Sequence, residues 1–277
     1  MRDKLCVITG ASSGIGLAAA EALARRGARL ALVGHDASRS AAALARLRAR
    51  VMDLRAAMHL ADLSRLSEMR RLGRELAAAY PGIDVLINNA GALFQRRVLT
   101  EDGIERTFAL NHLAYFVLTR ELRPCLSRGS RIVNVASGAH VGAVLDFDDL
   151  NLERGYSGWK AYRRSKLANI LFTRELARRL AGSGITANCL HPGFVASRFG
   201  DNNRGLFRFG IGIAKLLTAR TPEKGAETLI HLASAPGLGD VSGEYFFDLK
   251  PATPSAAARD DDAARRLWEA SERLALA

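Results

Sequence analysis

Tyr162 and Lys166 stand at positions i and i+4 of a stretch, Trp159–Leu180, whose apolar residues keep helical spacing. They therefore share one helix face, with an ammonium beneath a phenol where it favours the ionised form. A free tyrosine titrates near ~10, too high for an efficient base at neutral pH, and a nearby cation draws that value down. Tyr162 is thus the candidate for proton exchange with a substrate oxygen. A second constellation, Thr9-Gly10-Ala11-Ser12-Ser13-Gly14-Ile15-Gly16, joins an apolar run to a helical pattern. Its glycines allow a tight turn and the approach of a pyrophosphate to helix amides, and the strand before and helix after give the loop the context that a bare turn lacks.

Positioning these groups requires a regular scaffold. Lys4–Thr9 is a short β-branched apolar run that reads as a buried parallel strand, and Gly14–Arg26 reads as the helix that follows it. The alternation continues through strand Arg29–Val33, helix Ser38–Arg50, strand Leu54–Leu60, helix Ser64–Ala79 and strand Ile83–Ile87. The second half adds one long helix across Glu101–Leu126, strand Arg131–Val135, helix Trp159–Leu180 and strand Thr186–Leu190. Such a pattern predicts an α/β fold: a single-domain, Rossmann-type, doubly wound parallel sheet flanked by helices, spanning residues 1–277. The Pro251–Pro254 stretch introduces a last helix near Asp260–Leu274, within a closing segment 255–277. Between residues 204 and 218, Leu206, Phe207, Phe209, Ile211, Ile213, Leu216 and Leu217 crowd together after a strand. This segment is expected to be an apolar substrate lid, because ligands of open α/β sheets bind at that edge.

A net charge of +12 would suit an anionic partner, but the arginines recur along helix faces, as at Arg174, Arg178 and Arg179, without a basic tail or nucleic-acid motif. A solvated surface is expected, and no nucleic acid. Cys6, Cys125 and Cys189 are odd in number and widely spaced, which suggests neither a disulfide framework nor a metal site. The chain enters a strand at Lys4 and has no apolar run near the ~18 residues of a membrane helix, so a soluble cytoplasmic protein without a membrane span is expected.

The spacing T-G-x-x-x-G-x-G differs by one residue from the usual dinucleotide fingerprint and resembles the short-chain dehydrogenase/reductase family. The rest of that family's signature falls in order: Asn88-Asn89-Ala90-Gly91, then Asn111, Ser137, the pair Tyr162-x-x-x-Lys166, and Pro192-Gly193. The resemblance implies that Asn111, Ser137, Tyr162 and Lys166 form the catalytic set. In it Ser137 would donate to the substrate oxygen, Lys166 would also hold the cofactor ribose, and Asn111 would interrupt its helix and bind a water linking Lys166 to solvent. It further implies a nicotinamide cofactor held by Gly10, Ser12, Ser13, Gly14, Ile15 and Gly16. Asp62 and Leu63 would meet the adenine, and Asn89, Ala90, Gly91, Pro192, Gly193 and Val195 would complete the cradle.

Asn134-Val135-Ala136-Ser137-Gly138-Ala139-His140, the extended loop Gly138–Lys160, Ser242-Gly243-Glu244-Tyr245-Phe246 and Arg266-Leu267-Trp268 are similar to the retinol dehydrogenase and WW-domain oxidoreductase branch. That branch implies a lipophilic aldehyde, ketone or alcohol as substrate. An acid at the end of the second strand would reject a 2′-phosphate, but Gly34 stands there, followed by His35 and Asp36, with Arg39 nearby. NADP(H) is therefore expected over NAD(H), read by His35 and Arg39. The competing function is an NADP(H)-binding sensor with little turnover, since fold alone does not make an enzyme. The family also implies a homodimer through the helices carrying Asn111 and Tyr162.

Overall fold

The computed structural model describes residues 1–195 and 220–276; the expected lid lies outside the described residues. The chain begins β1 (Leu5–Thr9), α1 (Gly14–Arg25), β2 (Arg29–Gly34), α2 (Ala37–Arg50), β3 (Ala56–Leu60), α3 (Leu66–Ala79) and β4 (Ile83–Asn88). After two short helices, α4 (Arg106–Phe108) and α5 (Ala114–Leu122), come β5 (Leu126–Val135), α6 (Gly158–Arg179) and β6 (Thr186–Leu190). The described chain closes with α7 (Pro222–Ser234), β7 (Tyr245–Phe247), β8 (Lys250–Pro251) and α8 (Asp261–Leu276).

The strands form one sheet in the order β3-β2-β1-β4-β5-β6-β7-β8, parallel except for β8, which returns antiparallel on β7. In β1 every residue is buried, yet alternate side chains leave the strand on opposite faces. Leu5 and Val7 join α3, α5 and α6 in one core, while Cys6 and Ile8 join α1, α2 and α7 in the other. This two-sided burial explains why the strands read as continuous apolar runs rather than alternating ones. On the first face α8 lies against α6, with Trp268 edge-on to Phe116 at 5.0 Å and stacked on Phe172 at 5.9 Å between ring centroids.

The single helix expected over Glu101–Leu126 is not formed. Its first residues make a turn, closed by the Thr100 N–H donating to the Ile104 carbonyl at 2.8 Å, and the helix starts only where the Glu105 carboxylate accepts from the N–H groups of Thr107 and Phe108. A π turn over Ala109–Leu113 then inserts at Asn111, and Pro124, which cannot continue a helix, stands in the 3₁₀ turn Arg123–Cys125 that closes the run. Strand β5 consequently begins at Leu126, ahead of the expected Arg131, and β3 begins at Ala56 rather than Leu54.

Candidate active site

A cleft of about 620 Å³ opens at the carboxyl ends of the strands. It lies where the sheet order reverses between β1 and β4, the position at which open α/β sheets receive ligands. One wall is the glycine loop. Gly10 has φ +66°, a left-handed conformation that suits glycine, and the Ala11 N–H bonds the Val33 carbonyl at 3.0 Å. Any side chain on Gly16 would press into Asn89, with a Cβ only 2.6 Å from Nδ2, so the start of α1 packs directly on the end of β4. Thr9 completes this junction: its hydroxyl accepts from the N–H groups of Asn89 and Ala90 at 2.9 and 3.0 Å. The N-terminus of α1 has no side-chain cap from Ser13 and no acid in its first turn. Its amides and positive dipole end are therefore open to an anion, and the residues present fit a dinucleotide pyrophosphate.

The opposite wall carries Ser137, which follows β5, and Tyr162 and Lys166 of α6. Ser137 and Tyr162 share a side-chain hydrogen bond, and the Lys166 ammonium lies 5.8 Å from the Tyr162 ring centroid. The expected lowering of the tyrosine by the lysine does not prevail here. Burial raises the Tyr162 phenol to about 12, opposed only by the Ser137 hydrogen bond, and burial lowers Lys166 to about 7. The reason is geometric: Lys166 Nζ donates to the Val135 carbonyl at 2.8 Å, and desolvation penalises the charged form of both groups.

Asn111 lies beneath this wall rather than on it. Its Oδ1 accepts from the Ala92 N–H at 2.8 Å, and its Nδ2 donates to the Ala92 carbonyl and Ser165 Oγ, both at 2.9 Å. It thereby ties the π turn to the Asn89-Ala90-Gly91 loop and to α6. A Cβ at Gly91 would stand 3.2 Å from Asn111 Oδ1 and 3.4 Å from Lys166 Nζ, which shows how closely the three positions converge.

The cleft is also lined by Gly10, Ser12, Ser13, Gly14, Ile15, His35, Arg39, Asp62, Leu63, Asn89, Ala90, Gly91, Pro192, Gly193 and Val195. Of the expected cofactor residues only Gly16 stands behind the lining. Gly34 carries no acid, and a Cβ there would first have to turn Ser40 Oγ aside. His35 Nδ1 is 4.0 Å from Asp62 Oδ1, and Arg39 Nε is 3.5 Å from Asp36 Oδ1. Burial opposes ionisation of Asp62, but hydrogen bonds from the Ser64 hydroxyl and N–H hold its pKa below the usual carboxylate value. Sequence reasoning missed Phe94, Arg106, Trp159 and Phe194, which also face the cleft. Trp159 was detectable, since it precedes Tyr162 by three helical residues, and its ring stacks on the tyrosine with centroids 5.8 Å apart. Arg106 and Phe94, paired at 4.3 Å, meet only through the fold.

Residues 4–205 match the short chain dehydrogenase family, and the chain belongs to that family. Its relatives place it in the retinol dehydrogenase branch. It is 40% identical over 279 residues to human (Homo sapiens) retinol dehydrogenase 13, covering 98% of this chain and 84% of the relative. It is 41% identical over 290 residues to retinol dehydrogenase 14 of Mus musculus, covering 98% and 86%. Among solved structures, an uncharacterised protein from Mycobacterium paratuberculosis superposes with a TM-score of 0.80 at 35% identity, covering 99% of this chain and 94% of that one. A short chain dehydrogenase from Burkholderia cenocepacia in complex with NADP superposes with a TM-score of 0.70 at 27% identity, covering 88% and 96%.

Proposed function

We propose that this chain transfers a hydride between NADP(H) and a carbonyl or alcohol group of a lipophilic small molecule, with Tyr162 as general acid and base. The observation that carries the reading is the meeting of Ser137, Tyr162 and Lys166 on one wall of a cleft whose other wall is an uncapped glycine-loop helix. The nicotinamide supplies or takes up the hydride. In the reducing direction Tyr162 gives its phenolic proton to the substrate oxygen, while Ser137 donates a hydrogen bond to the same oxygen and orients it. Lys166 holds the cofactor ribose, the Ser137 hydrogen bond favours the phenolate that remains, and Asn111 anchors a water through which Lys166 exchanges protons with solvent. The glycine-loop residues and Asn89, Ala90 and Gly91 bind the cofactor backbone, Asp62 and Leu63 take its adenine, and Pro192, Gly193 and Val195 close the nicotinamide end.

The preference for NADP(H) is supported by Gly34, which supplies no ribose-binding acid, and by the exposed His35 imidazole and Arg39 guanidinium beside it. A lipophilic substrate is supported by Trp159 and Phe194, 51% and 44% exposed at the cleft. The reading includes a reducing, cytoplasmic setting, supported by three unpaired buried cysteines. Among the described residues no helix is long and apolar enough to cross a membrane. The test is oxidation of NADPH and NADH against a panel of hydrophobic aldehydes and ketones, with Tyr162→Phe beside the parent. Turnover should fall by about three orders of magnitude or more, roughly 4 kcal/mol of barrier, while NADPH binding is kept. Activity retained in the variant removes Tyr162 from this role; tight cofactor binding without turnover in the parent favours the sensor.

A further inference from the structure

The turn after β5 carries Ser137 and, three residues on, His140, which is only 2% exposed. The Ser137 carbonyl accepts twice from His140, from the backbone N–H at 3.2 Å and from ring Nδ1 at 2.7 Å. On the far edge of the ring, Nε2 meets the backbone N–H of Ser255 at 3.1 Å. A carbonyl only accepts and a backbone amide only donates, so these partners assign a neutral ring with its proton on Nδ1. Burial lowers the imidazole pKa and agrees with the neutral form. The ring also stands edge-on to Tyr245 of β7, 5.3 Å between centroids.

Ser137 needs such an anchor. Its backbone is extended, its Oγ accepts from the Ala139 N–H at 3.2 Å, and the same side chain reaches Tyr162. Rotation of the peptide after Ser137 would swing its carbonyl off His140 and redirect the hydroxyl relative to Tyr162. We infer that His140 is a positioning residue, whose Nδ1–H fixes the Ser137 peptide and whose Nε2 fastens that turn to the segment leading into α8. The inference rests on the reading of Ser137 as the donor to the substrate oxygen. It links two parts of the chain 115 residues apart, so that the order of the C-terminal segment bears on the geometry of the catalytic wall.

Two half-mimics separate the bonds. His140→Asn places an N–H where Nδ1 stands and cannot reach Ser255, whereas His140→Gln places a carbonyl near Nε2 and leaves the Ser137 carbonyl without the ring donor. Each variant loses one hydrogen bond, so thermal midpoints should fall alike, but only His140→Gln releases Ser137. The expected result is a kcat in His140→Gln about tenfold or more below that of His140→Asn, with NADPH affinity alike in both. Equal losses, or the larger loss in His140→Asn, overturn the inference. Ring ¹⁵N shifts in the unaltered protein give an independent reading: a neutral Nδ1–H tautomer is expected, and an Nε2–H or protonated ring overturns it. Should His140→Gln fail to fold, Ser255→Pro serves instead. Ser255 has φ −57°, which a proline ring accepts, and its loss of N–H should release the tautomer lock and mix the ring ¹⁵N signals. An unchanged tautomer in that variant counts against the tether. Turnover retained in Ser137→Ala would fail the proposed function itself, whereas the His140 tautomer stands or falls without any substrate.

Discussion

At the residue scale, cofactor choice turns on very few side chains. His35 is exposed at the end of β2 and faces the Asp62 carboxylate at 4.0 Å, while the nearby Asp36 caps α2 and is held at about 2 by the Arg39 N–H and then the Ser38 hydroxyl. Asp36 is thus committed to the helix, and the basic groups at positions 35 and 39 are left to meet a ribose phosphate. His35→Asp would put a carboxylate where ribose hydroxyls can bind it and where a 2′-phosphate is repelled. The ratio of NADPH to NADH dissociation constants should move toward NADH by about tenfold or more, on the order of 1.4 kcal/mol. Titration of cofactor fluorescence measures it. An unchanged ratio would shift phosphate recognition to Arg39, and Arg39→Ala in the same titration would then weaken NADPH alone.

At the scale of elements, the loop between β1 and α1 works because the start of the helix touches the end of β4. A methyl group at Gly16 meets Asn89 Nδ2 at 2.6 Å, and Asn89 is itself held by the Thr9 carbonyl at 2.8 Å, so it has little freedom to retreat. Gly16→Ala should cost about 1–3 kcal/mol of stability through overpacking and should weaken NADPH binding as α1 shifts. Chemical denaturation and cofactor titration check the two effects, and a variant with parental stability would deny the close approach its importance. This junction was legible in the sequence, because glycines spaced between a strand and a helix mark a tight turn with close backbone approach. The break at Asn111 was expected only from family resemblance, since apolar periodicity runs through Ala109–Leu113 without a signal for a π turn. Helix α7 and the hairpin of β7 and β8 were passed over as elements: the two strands have only three and two residues, too few for a pattern, and are held by pairing with β6 and with each other. The Arg106–Phe94 pair and the His140 bridge depend on tertiary approach, which single-sequence spacing does not encode.

At the scale of the whole molecule, α8 fastens the end of the chain over the helices behind the active site. Beyond the Trp268 stack, Ser271 bonds His112 Nε2 at 2.8 Å, and Arg174 pairs with Asp261 at 2.8 Å. A homodimer built through α6 would therefore have to meet α8 as well. His112 is fully buried beside Asn111, and burial lowers its pKa to about 3, opposed by the Asn169 side chain, which favours the protonated ring. The folded value lies below the ordinary 6.5, so the unfolded chain binds the extra proton between these limits. The stability tied to neutral His112 is complete above pH 6.5 and is lost progressively as pH falls toward about 3. Between pH 6.5 and 5 the loss should be about 1.7 kcal/mol, because the unfolded imidazole is half protonated at pH 6.5 and almost fully so at pH 5, at about 1.4 kcal/mol per pH unit of unequal protonation. His112→Gln keeps a polar group near Ser271 and cannot titrate. Its urea unfolding free energy should fall less than that of the parent over this interval, by that same amount, whatever its starting stability. Parallel pH dependences in parent and variant would mean that His112 is charged in the fold or that its region opens in acid, and the buried clasp between the π turn and α8 would lose its assigned part in acid stability.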